Sequence, residues 1–167
     1  GNKLFSEKKA ESIIFEAAEK GVNFFDTGHN YSEFNAEPRL GRILNQLFDS
    51  HDRSNFIISS KAGTTIPRAS LIKSKTPSTD FSPSFIRNSC FKSIKNLQCD
   101  YLDVFQLHAV SQHQISEALI DELVQMREAG LYRYLGINIH CEGDMQFVAA
   151  HPEIFDLILL DYNVLQI

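Results

Sequence analysis

The sequence predicts an α/β fold in which helices cover a parallel β-sheet. Short apolar runs of strand length alternate with longer segments whose apolar residues recur every three to four positions. The order is a helix, then four strand–helix pairs, then a final strand. Two architectures fit this order, an open doubly wound sheet and a (β/α)8 barrel. No GxGxxG motif follows a predicted strand, so the open sheet lacks its dinucleotide-binding signature.

The predicted helices combine apolar stripes with recognisable ends. Ser6 can cap the first helix, and Gly21 can end it in the left-handed conformation. Ser82 and Pro83 form a cap followed by proline at the first helical position, and Gly130 ends a later helix. The predicted helices cover residues 6–20, 37–49, 82–97, 115–126 and, with a weaker pattern, 142–151.

The predicted strands are short runs rich in apolar residues. They cover residues 22–25, 55–59, 101–107, 132–137 and 155–160. Residues 64–81 are rich in Thr, Ser, Pro and Lys, which predicts a loop longer than usual. We find no linker and no repeat beyond the βα alternation, so residues 1–167 are expected to form a single domain.

Composition and charge argue against several functional classes. Of the 167 residues, 43% are hydrophobic and 22% are charged, as in ordinary globular domains. The net charge of −5 argues against nucleic-acid binding, which needs a basic face. The run from Phe155 to Leu160 is too short to span a membrane. Three cysteines without CxxC spacing are expected to be reduced thiols in a cytoplasmic protein, and the scattered histidines give no support for a metal site.

Polar side chains follow the predicted strands at their carboxyl ends, where parallel α/β folds place their sites. Asp26 and then Tyr31 follow the first strand, Lys61 follows the second, and His108 follows the third. Each residue alone could be a turn, packing, surface or core residue. Their joint placement at one edge of the sheet instead favours a functional site.

Proton transfer to a carbonyl oxygen is the chemistry that needs this set of residues. A free phenol has a pKa of about 10 and is a weak acid at neutral pH. A neighbouring ammonium is expected to lower the pKa of Tyr31, while Asp26 keeps Lys61 charged and oriented. His108 can hydrogen-bond the substrate oxygen and polarise it. No side chain can supply a hydride, so a cofactor is required.

The segment from Gly21 to Tyr31, GVNFFDTGHNY, resembles the signature of the aldo-keto reductases, in which Asp-Thr precedes the catalytic tyrosine. Further segments are similar to that family: Glu37–Leu44, Ser59–Lys61, Ser82–His108, Gly130–Gly136 and Tyr162–Asn163. The resemblance implies a (β/α)8 TIM barrel that reduces aldehydes and ketones with a nicotinamide cofactor, usually NADPH, with NADH possible. It implies Tyr31 as general acid, Lys61 and Asp26 as the groups that tune it, and His108 as the group that orients the carbonyl.

In that family a Ser-Asn pair and a Gln commonly hold the nicotinamide carboxamide. The corresponding positions here are Asn138, Ile139 and Leu159. Asn138 and Tyr162 are therefore the residues expected to contact the cofactor. Since Ile139 and Leu159 cannot hydrogen-bond through their side chains, the sequence leaves the effect of these substitutions on cofactor binding open.

A complete barrel needs about 250 residues, so this sequence is expected to form a partial barrel. Matched in order, it starts at the first barrel helix and ends with the sixth strand. Three functions stay open. The first is a genuine reductase of a small-molecule carbonyl, and the second is a catalytically inactive binding or regulatory protein of the same fold. The third is a half-barrel that pairs its open edges with another chain. Substrate identity and oligomeric state stay open too.

Overall fold

A computed structural model of the protein describes residues 6–32, 34–65, 78–139 and 142–160. The helices are α1 (Glu7–Glu19), α2 (Ala36–Phe48), α3 (Pro83–Leu97), α4 (Glu117–Glu128) and α5 (Glu142–Ala149). The strands are β1 (Phe24–Asp26), β2 (Ile57–Ala62), β3 (Thr64–Thr65), β4 (Ser78–Thr79), β5 (Leu102–Leu107), β6 (Tyr132–Ile139) and β7 (Leu157–Leu160). Five strands form one parallel sheet in the order β1-β2-β5-β6-β7, and β3 pairs antiparallel with β4. The predicted alternation and parallel sheet are confirmed.

Most of the predicted helix ends are also observed. The Ser6 side chain accepts a hydrogen bond from the backbone N–H of Lys9 at 3.2 Å, which caps α1. Gly21 and Gly130 follow α1 and α4 with φ of +89° and +75°, the left-handed conformation that glycine adopts without strain. Pro83 is the first residue of α3 and Ser82 occupies the N-cap position, but the Ser82 side chain makes no capping hydrogen bond, so that part of the prediction is wrong.

Several strand boundaries and one loop differ from the prediction; β6, for example, continues to Ile139 rather than ending at residue 137, and β7 begins at Leu157 rather than at residue 155. Strand β1 begins at Phe24 rather than at residue 22, and β2 continues to Ala62 rather than ending at residue 59. The extension of β2 holds buried polar residues that pair with β5, so an apolar pattern does not reveal it. The predicted loop 64–81 contains the β3–β4 pair; its residues 66–77 lie outside the described part.

The sheet has two unlike faces, because successive side chains in a strand point to opposite sides. One face packs against the helices and forms the hydrophobic core, with members Leu44, Leu47, Ile58, Phe105, Leu107, Leu123, Ile137 and Ile139. We call the other side the inner face, with members Phe24, Asp26, Ile57, Ser59, Lys61, Val104, Gln106, Tyr134, Gly136, Asn138, Leu157 and Leu159. Exposed apolar residues lie at its amino-terminal end and at Leu159 on β7, and polar residues lie toward its carboxyl end.

Within the described ranges, none of the helices is long and apolar enough to cross a membrane. The same ranges contain no group of three or more His, Cys, Asp or Glu side chains placed to hold a metal ion.

Cys90 and Cys99 are free thiols. Burial raises the pKa of Cys90 to about 12 and that of Cys99 to about 11, so both stay protonated at neutral pH.

Candidate active site

Asp26 and Lys61 form an ion pair at the carboxyl end of the inner face. Asp26 is the last residue of β1, and Lys61 lies near the end of the neighbouring strand β2. The Lys61 ammonium donates to the Asp26 carboxylate and, at 3.0 Å, to the backbone carbonyl of Thr27. Lys61 is only 1% exposed. A buried ammonium needs such partners, because burial without them disfavours its charged form.

Tyr31 lies beside this pair, in the turn between β1 and α2. The Lys61 Nζ is 5.4 Å from the centroid of the Tyr31 ring. The Tyr31 and His108 rings meet edge to face, with centroids 5.6 Å apart and planes inclined at 75°. Tyr31 is 38% exposed, so one side of the ring remains open to solvent. The four residues that the sequence placed at one edge of the sheet therefore form one cluster.

The pKa of the Tyr31 phenol is raised, and the expected lowering by Lys61 is wrong for this structure. Partial burial of the phenol is the main cause, and the negative charge of Asp26 adds to it. Both effects disfavour the phenolate. The Lys61 charge does not reverse them because the ammonium is already paired with Asp26. The sequence order predicts that Lys61 lies near Tyr31. It does not show that the Asp26 carboxylate offsets the positive charge of Lys61.

His108, the residue after β5, is held by a residue that the sequence analysis did not identify. The hydroxyl of Thr64 and the Nδ1 atom of His108 are 2.9 Å apart. Thr64 is buried and belongs to β3, which begins just beyond β2. Its position three residues after Lys61 was a signal that it could reach the site, but the composition of residues 64–81 predicted a loop.

Gln106 is a second residue that the sequence analysis missed. Its Nε2 donates to the Asp26 Oδ1 at 3.0 Å and to the Ser59 Oγ at 2.6 Å. It lies in β5 between Phe105 and Leu107, so a polar residue inside an apolar strand was the available signal. The Asp26 carboxylate is consequently contacted by both Lys61 and Gln106.

The structure places the residues of the expected cofactor region in different surroundings. Asn138 is buried on the inner face, and its Nδ2 donates to the backbone carbonyl of Leu159 at 3.2 Å. The side chain of Ile139 packs in the core on the helix side, so it does not share the face of Lys61. Leu159 lies on the edge strand β7 and is half-exposed. Tyr162 lies outside the described residues.

A buried carboxyl group supports the strand that carries Lys61. Glu37, in the first turn of α2, accepts a hydrogen bond from the Ser60 hydroxyl at 2.6 Å and one from the Asn96 amide at 3.0 Å. Glu37 is almost completely buried. These contacts join α2, β2 and α3 directly behind the site. In the sequence analysis Glu37 appears only as the first residue of the segment Glu37–Leu44, which is similar to the aldo-keto reductases, and no buried role is predicted for it.

Known proteins resemble this chain along nearly all of its length. The model of the aldo/keto reductase family matches residues 1–165. An L-galactose dehydrogenase from Arabidopsis thaliana is 31% identical over 136 residues, which are 80% of this chain and 39% of that protein. The uncharacterized oxidoreductase YqkF from Bacillus subtilis is 30% identical over 136 residues, 81% of this chain and 42% of that protein. The chain thus spans about two fifths of the length of these curated relatives.

Solved structures confirm the partial barrel. The holo form of the aldo-keto reductase AKR11C1 from Bacillus halodurans has a TM-score of 0.77 at 24% identity and covers 94% of this chain and 49% of its own. The glycerol dehydrogenase AKR11B4 from Gluconobacter oxydans has a TM-score of 0.74 at 21% identity, with 95% and 46% covered. Since the family model matches nearly every residue and the fold agrees, the chain belongs to the aldo/keto reductase family.

Proposed function

We propose that the protein containing this chain is an NAD(P)H-dependent oxidoreductase that reduces an aldehyde or a ketone to an alcohol. The observation that carries the proposal is the cluster of Tyr31, Lys61, Asp26 and His108 at the carboxyl end of the inner face. Membership of a family whose relatives include dehydrogenases supports the same reaction class.

In the proposed reaction, Tyr31 donates the proton to the carbonyl oxygen. The raised pKa of its phenol keeps this donor protonated throughout the neutral range. The Lys61 ammonium, 5.4 Å from the ring centroid, stabilises the negative charge that develops on the phenol oxygen as the proton leaves. Asp26 accepts a hydrogen bond from Lys61 and thereby fixes the direction of the ammonium.

His108 orients the carbonyl in this proposal. Its ring meets the edge of the Tyr31 ring, so both groups border the same volume at the end of the sheet. A ring N–H that donates to the carbonyl oxygen polarises the C=O bond and strengthens as negative charge develops there. The Thr64 contact at Nδ1 restricts rotation of the imidazole.

Asn138 and Tyr162 are the proposed cofactor contacts in this chain. When bound, NADPH would supply the hydride that the carbonyl carbon accepts. The amide side chain of Asn138 lies on the same face as Lys61, beside the half-exposed apolar surface of Leu159. An amide can pair with the carboxamide of a nicotinamide, and an apolar surface suits the flat nicotinamide ring. Asn138 and Leu159 therefore fit the cofactor. NADPH is the proposed form, with NADH as the alternative.

Titration of the full-length protein with NADPH and NADH tests the proposal. Binding can be followed by heat or by quenching of tyrosine emission, because the chain contains no Trp. We expect saturable binding, and then loss of NADPH absorbance with some members of an aldehyde and ketone panel. Asn138→Leu should weaken cofactor binding, whereas Asn45→Leu, on the exposed side of α2, should not.

A folded protein that binds neither nucleotide would contradict the proposal. The four side chains would then be inherited features of a binding or regulatory protein, and the search would turn to a protein partner.

The proposal includes a small-molecule carbonyl substrate and a cytoplasmic location. The unpaired thiols of Cys90 and Cys99 support the location. Fractionation of cells that produce the protein tests the location.

A further inference from the structure

Gln106 is a buried amide that bridges two strands of the sheet. It is 1% exposed, and its Nε2 donates to the Asp26 Oδ1 on β1 and to the Ser59 Oγ on β2. A primary amide nitrogen has two N–H groups, so both donors are used. The reverse orientation of the amide would place its oxygen against the Asp26 carboxylate. The charge of Asp26 therefore determines the direction in which the amide points.

The Asp26 carboxylate is held through both of its oxygens. Gln106 donates to Oδ1, and Lys61 donates to Oδ2. The Asp26 side chain is 35% exposed at the edge of the sheet, so water competes for the carboxylate. Without the amide of Gln106, the carboxylate could turn about its Cβ–Cγ bond, and the ammonium of Lys61 would move with it. The amide thus restrains the Asp26–Lys61 pair beneath the Tyr31 ring.

The carbonyl oxygen of Gln106 is buried and has no hydrogen-bond partner among the described residues. An unsatisfied buried acceptor destabilises a folded protein. An apolar side chain of the same length, such as methionine, has no such carbonyl oxygen and would avoid this cost. Stability alone therefore does not explain a glutamine at this position. The hydrogen bond from its Nε2 to the Asp26 carboxylate does explain it.

Gly136 provides the space that Gln106 occupies. The two residues are paired in the register of β5 and β6. A Cβ atom at position 136 would lie 2.7 Å from the Gln106 Cγ, a distance that would displace the Gln106 side chain. Because Cγ is the second carbon of that side chain, it cannot move without shifting the amide. Any larger residue at position 136 would disturb the contact with Asp26.

We infer that Gln106 is a positioning residue that holds the Asp26 carboxylate against Lys61, and that Gly136 is required to let it do so. This inference rests on the proposed reductase function, in which Lys61 and Asp26 support proton donation by Tyr31. Gln106 itself touches neither the substrate nor the cofactor in this scheme. It acts through Asp26, so its loss affects the chemical step rather than binding.

Gln106→Met is the main test in the full-length protein, because methionine keeps the length of the side chain and removes its N–H donors. We expect kcat to fall about tenfold, with KM and the Kd for NADPH close to wild type. The unfolding midpoint should change little, since the lost hydrogen bonds and the removed unsatisfied acceptor oppose each other. A raised Kd together with a lowered midpoint would show a structural role and would overturn the inference.

Gly136→Ala should lower kcat in the same way, and Gly143→Ala is its matched control. The nearest atom to an added Cβ at position 143 is 3.6 Å away, which is an ordinary contact. In a Gln106→Ala background the Cγ atom is gone, so Gly136→Ala should cause no further loss. Multiplicative losses in the double variant would show that Gly136 acts independently of Gln106 and would overturn the inference.

A spectroscopic measurement separates this inference from the proposed function. Exchange of the Lys61 ammonium protons with water, followed by NMR with labelled lysine, does not depend on turnover. We expect slow exchange in the wild type and in Gly143→Ala, and clearly faster exchange in Gln106→Met. If the wild type reduces no carbonyl but this contrast appears, the proposed function fails and the positioning role of Gln106 stands. Identical exchange in the wild type and Gln106→Met would refute the positioning role even in an active enzyme.

Discussion

The hydroxyl of Thr64 and the Nδ1 atom of His108 lie 2.9 Å apart, which restrains the imidazole at the rim of the site. The partner of one ring nitrogen sets the tautomer of a neutral imidazole. When Thr64 donates its hydroxyl proton to Nδ1, the ring proton resides on Nε2. That tautomer is the one that can donate to a carbonyl oxygen, so Thr64 supports the proposed role of His108.

Replacing Thr64 with valine is expected to lower kcat/KM about tenfold, because the shape is retained and the hydroxyl is lost. The Kd for NADPH should not change. Thr64→Ser, which keeps the hydroxyl, should retain most of the activity. Steady-state kinetics with an aldehyde substrate provide the measurement. Equal activities for the valine and serine variants would show that the hydroxyl does not orient His108.

Tyr31→Phe is expected to abolish carbonyl reduction while it leaves cofactor binding nearly intact. The substitution removes the proton donor and keeps the aromatic ring that contacts His108. Turnover and the Kd for NADPH should be measured on the same preparation. Unchanged turnover would exclude Tyr31 as the general acid.

The pKa of Tyr31 should respond in opposite directions to changes at Asp26 and Lys61. The negative charge of Asp26 raises this pKa because it disfavours the phenolate, so Asp26→Asn should lower it. Lys61→Met removes a nearby positive charge and should raise it further. The phenolate absorbance during alkaline titration reports the pKa, with the corresponding Tyr31→Phe double variants as blanks. A shift of the same sign in both variants would contradict this account of the site.

Glu37→Ala is expected to reduce the free energy of unfolding by about 2–4 kcal/mol, because it leaves the buried partners of Glu37 without an acceptor and opens a cavity. The affected partners are the Ser60 hydroxyl and the Asn96 amide. Glu37→Gln fills the same volume and keeps one acceptor oxygen, so it should cost less. Chemical denaturation of the three proteins measures the difference. A loss for Glu37→Gln as large as that for Glu37→Ala would show that the charge, and not the hydrogen bonding, matters at this position.

The positions of Asp26, Lys61 and His108 were predictable because each follows an apolar run that reads as a strand. In a parallel sheet the carboxyl ends of all strands lie at the same edge, so sequence order alone brings these residues together. The helix ends were predictable for a local reason as well, since capping and left-handed residues act within a few positions of themselves.

The contacts of Gln106, Thr64 and Glu37 were not predictable in the same way. Each joins strands or helices far apart in the chain, and the partner depends on register and on which face a residue occupies. The raised pKa of Tyr31 has a similar origin, because it reflects burial and a carboxylate that neutralises the nearby lysine. A sequence shows which charges are present, but the balance among them is set by the assembled sheet.

The hydrogen bond between Asp26 and Gln106 spans 80 residues of the chain, which has a consequence for synthesis on the ribosome. At translation rates of about 5–20 residues per second, Gln106 is made roughly 4–16 seconds after Asp26. During that interval β1 and β2 form at most a two-stranded pair, which is unstable alone in water. The charged pair at the centre of the site can become buried only when β5 docks. A nascent chain that pauses before this strand would expose the apolar core face of an unfinished sheet, the state that chaperones bind.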